Sequence, residues 1–490
     1  MKLKRTLIVL LAGISLAGWS ARPDTAHAGE RQEQDFYELI QEVNEKNSRL
    51  DAPQNSLDKF CYNFKNKKPK LTLDDTSLMW KEYNEKNVKK TLTAADARRE
   101  TNWLFRLLRS QYGLYTYYGG DAAFGRAKVQ ILKEIGTKGT ISTGKYQKIL
   151  HKHLDFITDL HLAIGAELFD TDLRLFGDES VNYVKNGGCF YEEGSIKDAV
   201  VKINGRQPED YLRRAIDENG CLTYYPYAML EQEKEICEFK VEYESGNIKS
   251  IQLKPAEYSY EENVDRLYGY ETYGDLAYVE MNLAYMDWEA PKERKSFLKD
   301  VADVKKHSKI IYDLRNNPGG DGTLIEEWFE KLTGQTLLPN YSTLRLRPVF
   351  IYNTKELKEM DEFAAQTGLK RRGKYYYCQY PGRQYLANEG RQIFVLTSRR
   401  TSSAAESMTD ALKNLENVIT IGTNTGGVLA NMANYNMAMP YSGLYLQFGE
   451  SMQYFDPSYF RESYGMEPDL YLTGKNLQKR LKKFFKTYVL

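Results

Sequence analysis

The spacing of apolar residues changes along the chain. From about residue 30 to 160 apolar positions recur every three or four residues, as in Asp35–Val43 and Ala97–Leu108, which predicts amphipathic helices. Beyond Gly177 the helical period breaks, and Val200-Val-Lys-Ile-Asn-Gly alternates like a strand that ends in a turn. We interpret Pro208–Ile216 as a helix because a proline stands near its start.

The remaining pattern predicts strands. Cys237–Tyr243 and Ile248–Leu253 flank Glu244-Ser-Gly-Asn, which is typical of a β-hairpin. Short apolar runs then alternate with helical stretches, and those runs are Leu276–Met281, Lys309–Leu314, Gln392–Thr397 and Val418–Gly422. This alternation predicts an α/β core with a buried, largely parallel sheet.

Both ends of the chain carry basic residues beside apolar ones. Lys2, Lys4 and Arg5 precede the apolar run Leu7–Trp19, and Ala26-His-Ala follows, so residues 1–28 read as a secretory signal peptide. We therefore expect a secreted or cell-envelope protein. The tail from residue 477 to 490 predicts a basic amphipathic helix, either docked on its own core or in contact with an anionic surface.

Length and composition narrow the protein class. At about 150 residues per domain, 490 residues suggest two to four domains, and we expect a helical N-terminal domain over 29–160, a smaller module over 178–256 and the α/β core over 257–490. The 42% hydrophobic and 28% charged content excludes a disordered or polytopic membrane chain. A net charge of +1 argues against nucleic acid as a partner. Tyr occurs 38 times, which composition alone does not explain.

Cysteine and histidine spacing gives little sign of a metal. The five cysteines are too few for a disulfide scaffold, although one or two bridges within 189–237 remain open. His151-Lys-His153 with His161 would suit zinc on a strand, but i and i+2 diverge on a helix, which the pattern favours here. We therefore predict no metal and no cofactor.

Two segments have the form of a catalytic site. Lys309-Ile-Ile-Tyr-Asp-Leu-Arg-Asn-Asn-Pro-Gly-Gly runs from a strand into a glycine turn, which either only ends the strand or offers amides to an oxyanion. Gln392–Met408 passes from a strand through serines into a helix, whose N-terminus favours negative charge. Ser402 or Ser403 is then either a helix cap or a nucleophile that needs a base.

These segments resemble the family of C-terminal processing proteases, tricorn protease and the interphotoreceptor retinoid-binding protein. Four family patterns occur in order: "DLRxNxGG" from Asp313, "TASAAE" as Thr401-Ser-Ser-Ala-Ala-Glu, "GxxTGG" from Gly422 and "GVxPD" as Gly465-Met-Glu-Pro-Asp. The resemblance covers roughly residues 150–475 and implies a ClpP/crotonase-like peptidase core with a PDZ-like insert over 178–256. The insert lacks the glycine-rich carboxylate-binding loop.

The resemblance also implies roles for residues. The family nucleophile falls on Ser403, and the oxyanion donors fall on the amides of Ala404 and of Gly319 or Gly320. The lysine base of the processing-protease branch is absent, because the matching region reads Gly426-Gly-Val-Leu-Ala-Asn-Met-Ala-Asn.

The tricorn-like branch uses a histidine base instead. Its "LxDxH" segment falls on His161 and its orienting glutamate on Glu462, although Leu160 stands where tricorn has a serine. His161 lies in an apolar stretch behind an acid, and a histidine is the natural base near neutral pH. A buried structural histidine is the alternative.

The sequence thus predicts an exported serine endopeptidase that acts on peptides or proteins through Ser403, His161 and Glu462. The first alternative is a non-catalytic ligand- or peptide-binding protein on the same fold, as occurs in the family. The second is an interaction protein of the cell envelope or surface, suggested by the tyrosine content and the basic tail.

Overall fold

The computed structural model describes residues 23–489 except 51–56, 65–80, 166, 172, 196, 232–235, 257–265, 285–289, 347–353, 367–368, 379–381, 383 and 475. Most of the predicted signal peptide lies outside the described residues, and the first described helix begins at Pro23. None of the described helices is long and apolar enough to cross a membrane. None of the five cysteines, all of which the structure describes, is in a disulfide.

The α-helices in the described part of the chain are Pro23–Ser48, Ala94–Gln111, Gly120–Ile135, Thr143–His153, Pro291–Val304, Gly322–Thr333, Thr354–Gln366, Ala404–Leu412 and Leu477–Tyr488. The strands are β1 Thr91–Thr93, β2 Thr140–Ser142, β3 Ala163–Ile164, β4 Glu167–Leu168, β5 Leu173–Gly177, β6 Tyr183–Asn186, β7 Cys189–Glu192, β8 Val200–Ile203, β9 Leu212–Ile216, β10 Leu222–Glu231, β11 Cys237–Tyr243, β12 Ile248–Pro255, β13 Tyr268–Tyr273, β14 Leu276–Met281, β15 Lys309–Asp313, β16 Ser342–Leu346, β17 Lys370–Arg372, β18 Tyr375–Cys378, β19 Gln392–Thr397, β20 Val418–Gly422, β21 Asn431–Ala438, β22 Tyr445–Tyr454 and β23 Leu470–Tyr471.

The largest sheet is mixed, with the order β13-β14-β15-β19-β20-β23-β9-β10-β5-β12-β11-β8-β7-β6. Strands β14, β15, β19, β20, β23 and β9 are parallel neighbours, and this confirms the predicted parallel strands of the core. Because β23 pairs with β9, the 178–256 region continues the core sheet.

Helices cover both faces of the parallel strands, which is why those strands are apolar on both sides. One face packs under Pro291–Val304, Gly322–Thr333 and Ala404–Leu412. The other packs under Pro23–Ser48 and Leu477–Tyr488, where Phe484 and Phe485 are fully buried. The tail helix is therefore docked on its own core, as the first reading of its pattern predicted.

The helical pattern before residue 160 is confirmed by four helices, but these do not pack as one group. The helix Pro23–Ser48 lies on the core sheet, where Phe36 stacks on Phe394 at 6.4 Å. The other three pack against the second sheet, whose order is β17-β18-β16-β22-β3-β4 with β21 on β22.

One predicted helix is wrong. Only Pro208–Asp210 is helical, as a single 3-10 turn, and β9 follows it as Leu212–Ile216. This strand pairs with β10 across a turn in which Asp217 Oδ1 accepts the amides of Asn219 and Cys221. The turn residues and the pairing with β10 override the local helical pattern. The predicted hairpin of β11 and β12 is confirmed.

Candidate active site

The sheet topology brings the two predicted segments together. β15 and β19 are parallel neighbours, so their carboxyl ends open at the same edge of the sheet. Three contacts join the loops that follow: Ser398 Oγ donates to Arg315 O at 2.5 Å, Thr401 Oγ1 donates to Leu314 O at 2.9 Å, and the Ser402 amide donates to Asn317 O at 3.1 Å. The glycine turn and the serine turn are thus held edge to edge.

Ser403 lies at a sharp turn between β19 and the helix Ala404–Leu412. Its φ of 52° and ψ of −120° are unfavourable for a residue with a side chain and cost about 1–3 kcal/mol. The residue is half-buried, and its amide donates to Glu406 at 3.0 Å. A strained serine at a strand-to-helix turn is the geometry of a nucleophile elbow, in which the hydroxyl is presented away from the sheet.

The glycine loop packs directly against this turn. At Gly319, with φ +109°, a Cβ would stand 2.7 Å from Ser403 Cβ, so no side chain fits. The Gly319 amide donates to Asn317 Oδ1 at 2.9 Å and is therefore occupied. Neither the Gly320 amide nor the Ala404 amide donates to another of the described residues. The two open amides thus belong to the residue after Ser403 and to the residue after Gly319, which packs against Ser403.

Glu406 connects the nucleophile turn to the next loop. Its carboxylate is fully buried and accepts four hydrogen bonds: from Ser403 N at 3.0 Å, Thr425 Oγ1 at 2.5 Å, Gly427 N at 2.8 Å and Val428 N at 2.8 Å. Burial raises the pKa of Glu406, and the donors oppose that shift. Glu406 therefore fixes the loop 425–428 against Ser403.

The same loop continues to two further carboxylates. The Ala430 amide donates to Glu462 Oε2 at 2.8 Å, and Asn431 Nδ2 donates to Asp159 Oδ2 at 2.5 Å. Asp159 Oδ1 in turn accepts the amide of His161 at 2.8 Å. A continuous set of hydrogen bonds and loop residues therefore runs from Ser403 to the segments that carry Glu462 and His161.

His161 is buried, and one nitrogen of its ring is unsatisfied. Nδ1 has no hydrogen-bond partner among the described residues. Burial lowers the pKa of His161, while the negative charge of Asp159 opposes that shift. The ring is therefore neutral at pH 7, the form that can accept a proton.

Glu462 also has an unsatisfied side-chain atom. Its Oε1 is buried without a partner among the described residues. Burial and the nearby Asp159 charge raise the pKa of Glu462 well above its usual range. Burial also raises the pKa of Asp159, so the two neighbouring carboxylates titrate as a pair.

The structure joins the predicted residues through the loop and not through hydrogen bonds between their side chains. Among the described residues, no hydrogen bond links the side chains of Ser403, His161 and Glu462 to one another. Sequence reasoning did not assign Asp159 or Glu406 a role. Both residues lie inside the motifs quoted above. The sequence signal for them was therefore an acidic residue close to each proposed catalytic residue.

The other two histidines of the sequence pattern lie in a helix. His153 Nε2 contacts Glu134 Oε2 at 2.8 Å, and His151 stacks on Phe169 and contacts Ile164 O at 2.9 Å. The described part of the chain holds no group of three or more His, Cys, Asp or Glu side chains that could bind a metal ion.

The family comparison covers the segments that build this site. Residues 275–472, which include Gly319, Ser403 and Glu462, match the family model described as Peptidase family S41. The chain carries a peptidase family S41 domain. It is a serine-type peptidase by family. The matched S41 domain begins after His161 and ends before the tail helix.

Solved structures of similar proteins cover most of the chain. Mature CPAF is 13% identical over 80% of this chain and 95% of its own, with a TM-score of 0.41. The photosystem II D1 C-terminal processing protease is 12% identical over 80% and 96%, with a TM-score of 0.36. A lipoprotein from Streptococcus agalactiae is 13% identical over 76% and 91%, with a TM-score of 0.35. A search of curated proteins found no match.

Proposed function

We propose that the chain is an exported serine endopeptidase in which Ser403 is the nucleophile, His161 the base and Glu462 its orienting acid. The observation that carries the proposal is the strained Ser403, which packs against the glycine loop inside the S41 domain. Strain at a half-buried serine persists only where surrounding contacts hold it, and here Glu406 and Gly319 provide them.

The proposed reaction is acyl transfer. Ser403 Oγ attacks the peptide carbonyl, and the amides of Ala404 and Gly320 stabilise the oxyanion of the tetrahedral intermediate. We favour Gly320 over Gly319, because the Gly319 amide is already bound to Asn317. His161 takes the proton from Ser403 Oγ and returns it to the leaving amine, and water then hydrolyses the acyl-enzyme.

Support for the base comes from complementary unpaired atoms. His161 Nδ1 and Glu462 Oε1 are both buried without a described partner, and a protonated Nδ1 facing a carboxyl oxygen would satisfy both. Catalytic hydrogen bonds are often long in the absence of substrate and tighten on binding. We propose that such a closure forms the His161–Glu462 and Ser403–His161 contacts.

The finer fold and location are also proposals. The parallel strands, with helices on both faces, support a ClpP/crotonase-like core, and the β5–β12 region with its hairpin supports a PDZ-like insert. The proposed location outside the cytoplasm rests on the sequence of residues 1–28.

Fluorophosphonate labelling of the mature protein tests the mechanism, because the probe needs an activated serine and no known substrate. Labelling should disappear in Ser403→Ala and His161→Ala and weaken in Glu462→Ala. Ser402→Ala is the matched control, since Ser402 faces Gly426 in the neighbouring loop and should label normally. A folded wild-type protein that does not label would contradict the proposal and favour the non-catalytic binding protein.

A further inference from the structure

We infer that Tyr112, in the helical region that precedes the S41 domain, is a positioning residue that holds the proposed base His161 through Asp159. The inference rests on the proposed function, because it assigns the role of a contact to His161. Tyr112 lies outside the segments that carry the family resemblance, so the site would depend on a region of the chain that the family model does not cover.

Tyr112 is held rigidly by its surroundings. It caps the helix Ala94–Gln111, its amide donates to Leu108 O at 3.0 Å, and it is 1% exposed. The next residue, Gly113, lies so close to strand β22 that a Cβ there would meet the Ser451 carbonyl at 2.6 Å. The helix end is therefore fixed against the second sheet, and the ring of Tyr112 packs against Tyr118 and Phe124.

The Tyr112 hydroxyl points at the carboxylate that holds His161. It donates to Asp159 Oδ2 at 2.8 Å, and Asn431 Nδ2 donates to the same oxygen at 2.5 Å. Asp159 Oδ1 accepts the backbone amide of His161 at 2.8 Å. Asp159 is fully buried, and its three donors fix the orientation of its carboxylate. The backbone of His161 is fixed by the same carboxylate.

A second contact fixes the other side of the same turn. The carbonyl of His161 accepts Gln447 Nε2 at 3.2 Å, so the backbone of His161 is bound on both sides. Losing the Tyr112 hydroxyl would leave Asp159 Oδ2 with one donor in a buried site. The Asp159 carboxylate would then rotate toward its other donors. The backbone of His161, which is bound to this carboxylate, would move as well.

Neighbouring tyrosines offer matched controls because their hydroxyls bind elsewhere. Tyr115, three residues along and 5% exposed, donates to Asp121 at 3.0 Å. Tyr146, fully buried in the same core cluster, contacts Thr101 Oγ1 at 3.1 Å. Each Tyr→Phe change removes one buried hydroxyl, but only the change at Tyr112 removes a donor to Asp159.

The test is a double-mutant cycle on the rate of fluorophosphonate inactivation. Wild type, Tyr112→Phe, Asp159→Asn and the double variant are compared at saturating probe, with Tyr115→Phe as control and thermal unfolding as the measure of folding. We expect about a tenfold lower saturating rate in Tyr112→Phe with unchanged probe affinity, and a double variant no slower than Asp159→Asn. Asn431→Ala gives an independent loss of a donor to the same oxygen.

The outcomes separate this inference from the proposed function. A Tyr112→Phe variant that labels at the wild-type rate, or whose cost adds in full to that of Asp159→Asn, overturns the inference while Ser403→Ala and His161→Ala still abolish labelling. Equal slowing by Tyr115→Phe also overturns it, since that would be a general loss of packing. If Tyr112→Phe does not fold, normal labelling of Asn431→Ala overturns it. If wild type does not label, or His161→Ala labels normally, the proposed function fails and the inference fails with it.

Discussion

Glu406→Gln is the substitution that best tests whether the hydrogen bonds around Ser403 hold the site together. The variant keeps the shape of the side chain but replaces one oxygen by an NH2 donor. If the NH2 lies at Oε2, the amides of Ser403 and Val428 both lose their acceptor. If it lies at Oε1, the Thr425 hydroxyl can rotate and accept, so the Gly427 amide and the freely rotating Thr425 hydroxyl hydrogen lose their acceptor.

The glutamine side chain adopts the second orientation, because this orientation costs less free energy. It therefore determines the expected change in the free energy of unfolding. One buried amide without an acceptor costs about 1–3 kcal/mol. Burial raises the pKa of Glu406, so removing its charge recovers part of that cost. We therefore expect the free energy of unfolding to fall by about 1–2 kcal/mol, and the labelling rate of Ser403 to fall about tenfold if the same energy positions the nucleophile.

The assay combines urea unfolding with the rate of fluorophosphonate labelling. Glu450→Gln is the matched control, because Glu450 is also fully buried but accepts from Arg345 Nε at 2.7 Å and Tyr435 Oη at 2.8 Å. The control should lose stability and keep its labelling rate. An unchanged urea midpoint together with an unchanged labelling rate in Glu406→Gln would refute the reasoning.

Two further predictions concern the glycine loop and the base. Gly319→Ala places a Cβ 2.7 Å from Ser403 Cβ at a φ of +109°, so labelling should be lost, whereas Gly322→Ala, which meets nothing within 4 Å, should label normally; equal labelling of the two variants would contradict this. Because burial lowers the pKa of His161 and the neutral ring is the base, the labelling rate should rise with pH through a pKa below the usual 6.5 and be level by about pH 7. A limb centred above 6.5 in the pH profile would mean that His161 is not the group that titrates.

The tyrosine content, unexplained by composition, has a structural cause. Many tyrosine hydroxyls donate to carboxylates that folding has partly or fully buried. Examples are Tyr112 to Asp159, Tyr227 to Glu179, Tyr278 to Asp313, Tyr435 to Glu450 and Tyr459 to Asp410. A phenol covers apolar surface with its ring and supplies one donor at its tip, which suits a fold with many buried acids.

Local patterns determined the strands of the core and the tail helix, because a strand buried on both faces must be a short apolar run and an amphipathic helix must repeat every three to four residues. They misjudged Pro208–Ile216, where pairing with β10 outweighs the local signal. The motifs also determined the candidates Ser403, His161 and Glu462, since each belongs to a short contiguous pattern.

Only the tertiary structure decided what surrounds those residues. Tyr112 is 47 positions from Asp159, and Asn431 is 272 positions from it, yet all three meet in one buried network. Such contacts leave no periodicity in the sequence, because each residue alone is an ordinary core or strand position. The energy of a buried hydrogen bond depends on a partner that only folding brings within reach.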